Sequence, residues 1–148
     1  MSANNALQTA LIARLRGFTQ LTDELPLFAG VPAVFFDVPQ SFDDTQPYVV
    51  IYELPHSEDD TANTTGFEVV ANIHTWVQER TTAKTGAITQ AIYNALHRYD
   101  ILSVTGYTVS GIDCEFQTIL RDPDGVTKHG VQRFRINYEP AVIYPPCI

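Results

Sequence analysis

Lysine is almost missing from this chain. Lys84 and Lys128 are its two lysines, and the nine Lys and Arg residues together face 17 Asp and Glu, for a net charge of −8. Gripping a nucleic-acid backbone requires cations that displace its counterions, so this balance argues against such a role. Long apolar runs are missing too. No segment approaches the ~18 residues of a membrane span, and Met1-Ser2-Ala3-Asn4-Asn5 has neither a basic region nor an apolar signal core, so neither a membrane partner nor export is expected. The cysteines, Cys114 and Cys147, are too few for a disulfide framework, and Cys114 is expected to be a buried free thiol. There is no phosphate loop, no nucleophile elbow, and no Cys or His pair at metal-ligand spacing. No catalytic residue, cofactor site or metal site is therefore predicted, and the chain reads as a non-enzyme.

What is present is pattern. Gly111 to Tyr138 reads as a β-hairpin closed by Asp122-Pro123-Asp124-Gly125. Pro123 presets φ for a turn, Asp122 is placed to bond the backbone ahead, and Gly125 accepts positive φ, which suggests a type I turn with a glycine bulge. Counting outward from such a turn sets Cys114 opposite Phe134 and Ile112 opposite Ile136. On the other side of the ribbon it sets Glu115 opposite Arg133 and Asp113 opposite Arg135. One register thus yields an apolar face and a charge-matched face together, and a slip by one residue would destroy both.

Phe67 to Gln78 alternates longest. Phe67, Val69, Ala71, Ile73 and Val77 fall on one side; Val70, Asn72, His74 and Trp76 fall on the other. Tyr48 to Leu54 is its natural antiparallel partner, apolar on both sides and ended by Pro55. Ala33 to Val38 is a shorter strand, and Thr19 to Pro32 a connector with a helical turn near Asp23. Two segments have helical spacing. Leu7, Leu11 and Leu15 place one on residues 4–18, with Asn4 or Asn5 as cap and Gly17 as stop. Ile88, Ala91, Ile92, Ala95 and Leu96 place another on Ala83 to Arg98, capped by Thr81 or Thr82. The fold class predicted is α+β: an antiparallel, mostly hairpin-connected sheet with two helices packed on one face. One domain is expected over residues 1–139. Pro140 to Ile148 (PAVIYPPCI) is apolar but too proline-rich for a helix or central strand, and is expected to be an extended tail lying on a surface.

Arg121-Asp122-Pro123-Asp124-Gly125, Lys128-His129-Gly130-Val131 and Arg133-Phe134-Arg135 resemble the C-terminal signature of the tail completion (tail terminator) proteins of long-tailed bacteriophages and gene-transfer particles. Pro47-Tyr48-Val49-Val50-Ile51 and His74-Thr75-Trp76 resemble that family's inner strands, and the likeness runs over roughly residues 4–139. The resemblance implies a virion protein at the head-proximal end of the tail, assembled in the host cytoplasm. Its partners would be five further copies of itself in a ring, the major tail tube protein, and the head connector or stopper, with DNA passing through unbound. A head-side adaptor is the alternative within virion assembly, and a small ligand-binding domain the alternative outside it.

A ring contact needs two different patches on each subunit. The expected ones are the charged hairpin face (Asp113, Glu115, Arg133, Arg135) and the C-terminal tail with Tyr144 and Ile148, while the resemblance makes the acidic loop residues Glu58, Asp59 and Asp60 candidates to meet the tail tube or a connector ring. The loop from His56 to Gly66 is expected to be exposed and mobile, with no apolar anchor. His74 is expected to be structurally buried or in an interface, and His129 to be exposed.

Overall fold

A computed structural model describes residues 3–52, 56–58, 66–99 and 102–140, with the backbone alone at 3–4 and 56–58. In chain order these form α1 (Ala3–Arg16), α2 (Thr19–Thr22), β1 (Leu27–Phe28), β2 (Val31–Pro32), β3 (Val34–Phe35), β4 (Tyr48–Ile51), β5 (His56–Glu58), β6 (Phe67–Gln78), α3 (Ala83–Leu96), β7 (Ser103–Val104), β8 (Tyr107–Arg121) and β9 (Thr127–Pro140). The main sheet runs β3-β4-β6-β9-β8-β7, with β5 also paired to β6. Every pairing in it is antiparallel except β3 with β4, which is parallel. The fold is α+β.

α1 and α3 cover one face of the sheet. Leu7, Leu11 and Leu15, spaced four apart, are fully buried, as are Ile88, Ala91, Ile92, Ala95 and Leu96 of α3. They meet Val69, Ala71 and Ile73 of β6 and Phe134, Ile136 and Tyr138 of β9 in one core. The period of two along β6 and β9 and the period near 3.6 along the helices thus converge on the same layer. Polar groups fasten the layers. Arg14 donates from Nε to the Ala95 carbonyl at 2.9 Å and lies over the Tyr99 ring at 3.7 Å. Arg16 donates from both Nε and a terminal nitrogen to the Val34 carbonyl, at 3.2 and 2.6 Å. α3 packs closest at Gly130, where a Cβ would lie 2.7 Å from Thr89 Cγ2, a β-branched side chain with little room to turn.

Several local readings are corrected. α1 begins before Asn4 and Asn5, which lie inside it, and Thr82 precedes α3 without a side-chain capping bond. The connector holds a small antiparallel ribbon, β1–β2, besides its helical turn. His56–Glu58 is a strand paired with Phe67–Val69 rather than loop, because the long β6 offers backbone groups there that β4 is too short to reach. Pro140, expected in the tail, closes β9 opposite Tyr107. It lies past the last β6–β9 pair, Phe67 with Tyr138, at a strand end where proline is tolerated. Asp59, Asp60, Tyr144, Cys147 and Ile148, and the rest of 141–148, lie outside the described residues.

Candidate interaction face

The side of the sheet away from α1 and α3 is partly covered at one end. There Phe28, Phe35, Phe42 and Tyr48 pack edge-to-face at 5.1–6.0 Å between centroids. The rest of that side is open, and the register decides what it shows. Trp76 stands opposite His129, and His129 opposite Leu120; His74 stands opposite Val131, and Asn72 opposite Arg133, which faces Phe116. Tyr52, Phe116 and Leu120 are exposed at 43%, 50% and 50%, unusual for side chains of this size on a regular strand or at its end.

The hairpin turn sets this arrangement. Asp122 accepts from Gly125 N at 3.1 Å, and Gly125 sits at φ +77°, so the turn is type I with a left-handed glycine, as predicted. It is Asp124, however, that holds the backbone. Its carboxylate accepts from Thr127 Oγ1, Thr127 N and Val126 N, at 2.5, 2.8 and 2.9 Å, and these bonds, that of the Thr127 hydroxyl foremost, hold the acid below the usual carboxylate range. The Val126 carbonyl is drawn away to Glu79 N, so Val126 stays in the loop and Asp122 pairs with Thr127. The loop is one residue longer than counted. Lys128, 2% exposed, fixes this corner by donating from Nζ to the carbonyls of Glu79, Val126 and Gly125.

A β-bulge between Cys114 and Phe116 cancels the extra residue. Beyond it Ile112 pairs with Ile136, Asp113 with Arg135 and Cys114 with Phe134, as expected from sequence. Glu115 does not face Arg133. It is the bulged residue, and its Oε2 lies 2.6 Å from Arg135, which also reaches Glu68 at 3.3 Å. Arg133 instead lies over the Phe116 ring at 6.0 Å. Of the four hairpin charges, two, Arg135 and Glu115, thus join Glu68 of β6 in a bridge, Arg133 lies on Phe116, and Asp113 stands exposed opposite Arg135. Cys114 is partly rather than fully buried. Desolvation raises its thiol pKa, its Sγ–H points to the Phe116 carbonyl at 3.7 Å, and its N–H donates to His97 Nδ1 at 3.0 Å.

The two histidines are the other departure. His129 is half-buried, stacked on Trp76 at 3.7 Å and 9°, and its Nε2 lies 2.5 Å from His74 Nδ1. Tyr52 meets His74 edge-on at 4.3 Å. Burial, with the neighbouring ring second, lowers the His74 pKa to about 4, and burial lowers that of His129 against an opposing pull from Asp122. Both rings are therefore neutral at pH 7, one donating to the other. An unfolded chain takes up protons near pH 6.5, whereas the folded pair resists until lower pH. Stability is thus complete above about pH 7 and falls as pH drops from ~6.5 toward ~4, by roughly 1–2 kcal/mol once screening of these half-exposed rings is allowed for. Thermal unfolding across pH 4–8 should show this slope, and the double variant His74→Gln, His129→Gln should flatten it. An equal slope in that variant would locate the effect elsewhere.

A model of the tail completion protein gp17 family matches residues 9–139. The chain belongs to that family. Tail completion protein gp17 of Bacillus phage SPP1 is 29% identical over 137 residues, covering 91% of this chain and 95% of that protein. A chain from the virion of a native gene transfer agent particle has the same fold, with TM-score 0.80 over 93% of this chain and 98% of its own, at 20% identity. Membership makes this a structural component of a phage-type tail. Among the described residues no group of three or more His, Cys, Asp and Glu side chains is placed to hold a metal, and no helix is long and apolar enough to cross a membrane. An open cleft of about 370 Å³ lies between Gln8, Thr9, Ile12, Ala13, Arg16 and Phe36, and its one ionisable group, Arg16, is engaged with Val34.

The sequence reading named the charged half of the open face and missed the aromatic half. Phe116 and Leu120 lie on the open side because of the bulge at Glu115. Trp76 and His74 were assigned the right side of β6 without their partner His129.

Proposed function

We propose that this tail completion family member acts by surface complementarity. Copies close into a ring, six by the resemblance, that stops growth of the tail tube and offers its opposite side to the head connector. It would sit at the head-proximal end of the tail, be assembled in the host cytoplasm, and let DNA pass without holding it. The observation that carries this reading is the family match over residues 9–139, taken with a sheet whose second face the chain's described helices leave open. Such a face, apolar at one end and charged at the other, has the two kinds of patch that a ring contact uses for affinity and for orientation. The net charge of −8 favours passage of DNA over adhesion to it. The hairpin charges Asp113, Glu115, Arg133 and Arg135, the acidic residues Glu58, Asp59 and Asp60, and the tail residues Tyr144 and Ile148 are the proposed contacts.

Imaging particles made without this gene tests the reading. Tails of abnormal length, unjoined to filled heads, are expected; tails of normal length that join heads would refute it. Locating the subunit in intact particles distinguishes the tail end from a head-side adaptor position.

A further inference from the structure

Resting on the ring reading, we propose that residues 141–148 of one copy seat on the open sheet face of the next copy, across Trp76, His129 and Leu120. Three observations lead there. The first is the acceptor. Trp76, His129 and Leu120 form a row of rings and a branched apolar group at the turn end of the hairpin, with Leu120 half exposed. The second is the chemistry of the segment. Ala141-Val142-Ile143-Tyr144-Pro145-Pro146-Cys147-Ile148 has no charged side chain and two adjacent prolines. Proline-rich segments dock on aromatic-lined surfaces because their extended form loses little entropy and offers flat apolar rings. In such a form, with three residues per turn, Val142, Pro145 and Ile148 would share one edge.

The third observation is reach. β9 carries the chain away from the turn, so Pro140 lies eleven residues along the strand from His129. That separation is about 36 Å at ~3.3 Å per residue. Residues 141–148, drawn out fully, span at most ~28 Å and would first have to reverse direction. Within one copy they fall short of Trp76 and Leu120. A neighbouring copy whose β9 ends near this patch has no such limit. Donor and acceptor then lie at opposite ends of the same hairpin, which makes the contact head-to-tail, the kind that closes a ring. The charged half of the face, Glu68, Arg133, Arg135 and Glu115, lies between the two ends and is placed to fix the direction in which the segment crosses.

Trp76 is the sole tryptophan, so its fluorescence reports on the acceptor patch alone. The experiment uses the full chain at low micromolar concentration and pH 8, where both histidines are neutral, titrated with a synthetic peptide of residues 141–148 carrying Cys147→Ser. A saturable blue shift is expected, with half-saturation at roughly 0.1–1 mM, a weak contact that a closed ring multiplies. Leu120→Asp in the protein, or Val142→Asp in the peptide, should weaken it by ~10-fold or more. No change in Trp76 emission at several millimolar peptide would overturn the proposal. So would a change in emission at nanomolar protein when Tyr144→Asp and Ile148→Asp are placed in the full chain, since that would put the segment on its own copy. The particle images test the functional reading separately: abnormal tails with a peptide that does not bind would sink the docking and leave the ring role standing.

Discussion

Phe134→Ala is expected to lower the free energy of unfolding by about 3–5 kcal/mol, the usual cost of emptying a filled aromatic site in a core. Phe134 is fully buried in the middle of β9, between Ala71 of β6 and Cys114 of β8, and it faces the helical layer with Ile136 and Tyr138. Around it the chain has little freedom to close the gap. β9 is held on both sides by ladders, and α3 is fixed above it by the Gln132 amide, which donates to the Thr89 carbonyl at 2.9 Å. Domains of this size hold about 5–15 kcal/mol in total, so the substitution removes about a fifth of the stability or more. At ~2–4 °C per kcal/mol the melting midpoint should fall by about 10 °C. Urea unfolding measures it; a loss below ~1 kcal/mol would mean that β9 is not the centre of the core. Phe116→Ala, by contrast, should lie within about 0.5 kcal/mol of the parent, since that ring is half exposed on the other face.

The contrast between these two phenylalanines shows how far the sequence could be read. Alternation along β6, the four-residue spacing in α1 and the apolar stripe of α3 are each set by many side chains voting for one face. A single local irregularity does not overturn them, and the layers formed as predicted. The register of the β8–β9 hairpin depends on counting, and counting fails by one wherever a backbone group finds a better partner. Asp124 binding two amides and Val126 turning to Glu79 lengthened the loop by one residue. The bulge at Glu115 then restored the pairing of Cys114 with Phe134. Between these two compensating irregularities, residues 116–121 lie on the face opposite to the one a plain count assigns. The buried half of the hairpin was thus legible and the turn half was not. Neither feature has a one-residue signature: the longer loop is held in part by Val126 meeting Glu79 just past β6, and Glu115 at the bulge meets Arg135 of the partner strand. The histidine pair was hidden for the same reason. His74 and His129 are 55 positions apart, and their meeting follows from the β6–β9 register, which no local motif specifies.

The double substitution Phe116→Asp, Leu120→Asp is expected to leave the fold intact and to suppress production of infectious particles by about 100-fold or more. Both side chains are 50% exposed on the open face, so neither change opens a cavity. The cost to an isolated subunit is the lower strand preference of aspartate, at most ~1 kcal/mol per site. Arg133, over the Phe116 ring, stands ready to accompany one of the new carboxylates. In an assembled particle the balance reverses. If this patch is covered by a neighbour, both carboxylates must leave water, the one at position 120 without a partner, and an apolar anchor is lost as well. A penalty of about 3 kcal/mol per contact corresponds to roughly a 100-fold loss of affinity, and a closed ring incurs it at every junction. Circular dichroism and thermal melts of the purified variant, set beside a plaque or gene-transfer assay, separate the two effects. Folded protein with full particle yield would show that the turn end of the hairpin stays in water throughout assembly, and would move the contact to the charged half of the sheet, where Arg135→Glu, which breaks its bridges to Glu68 and Glu115, is the corresponding test.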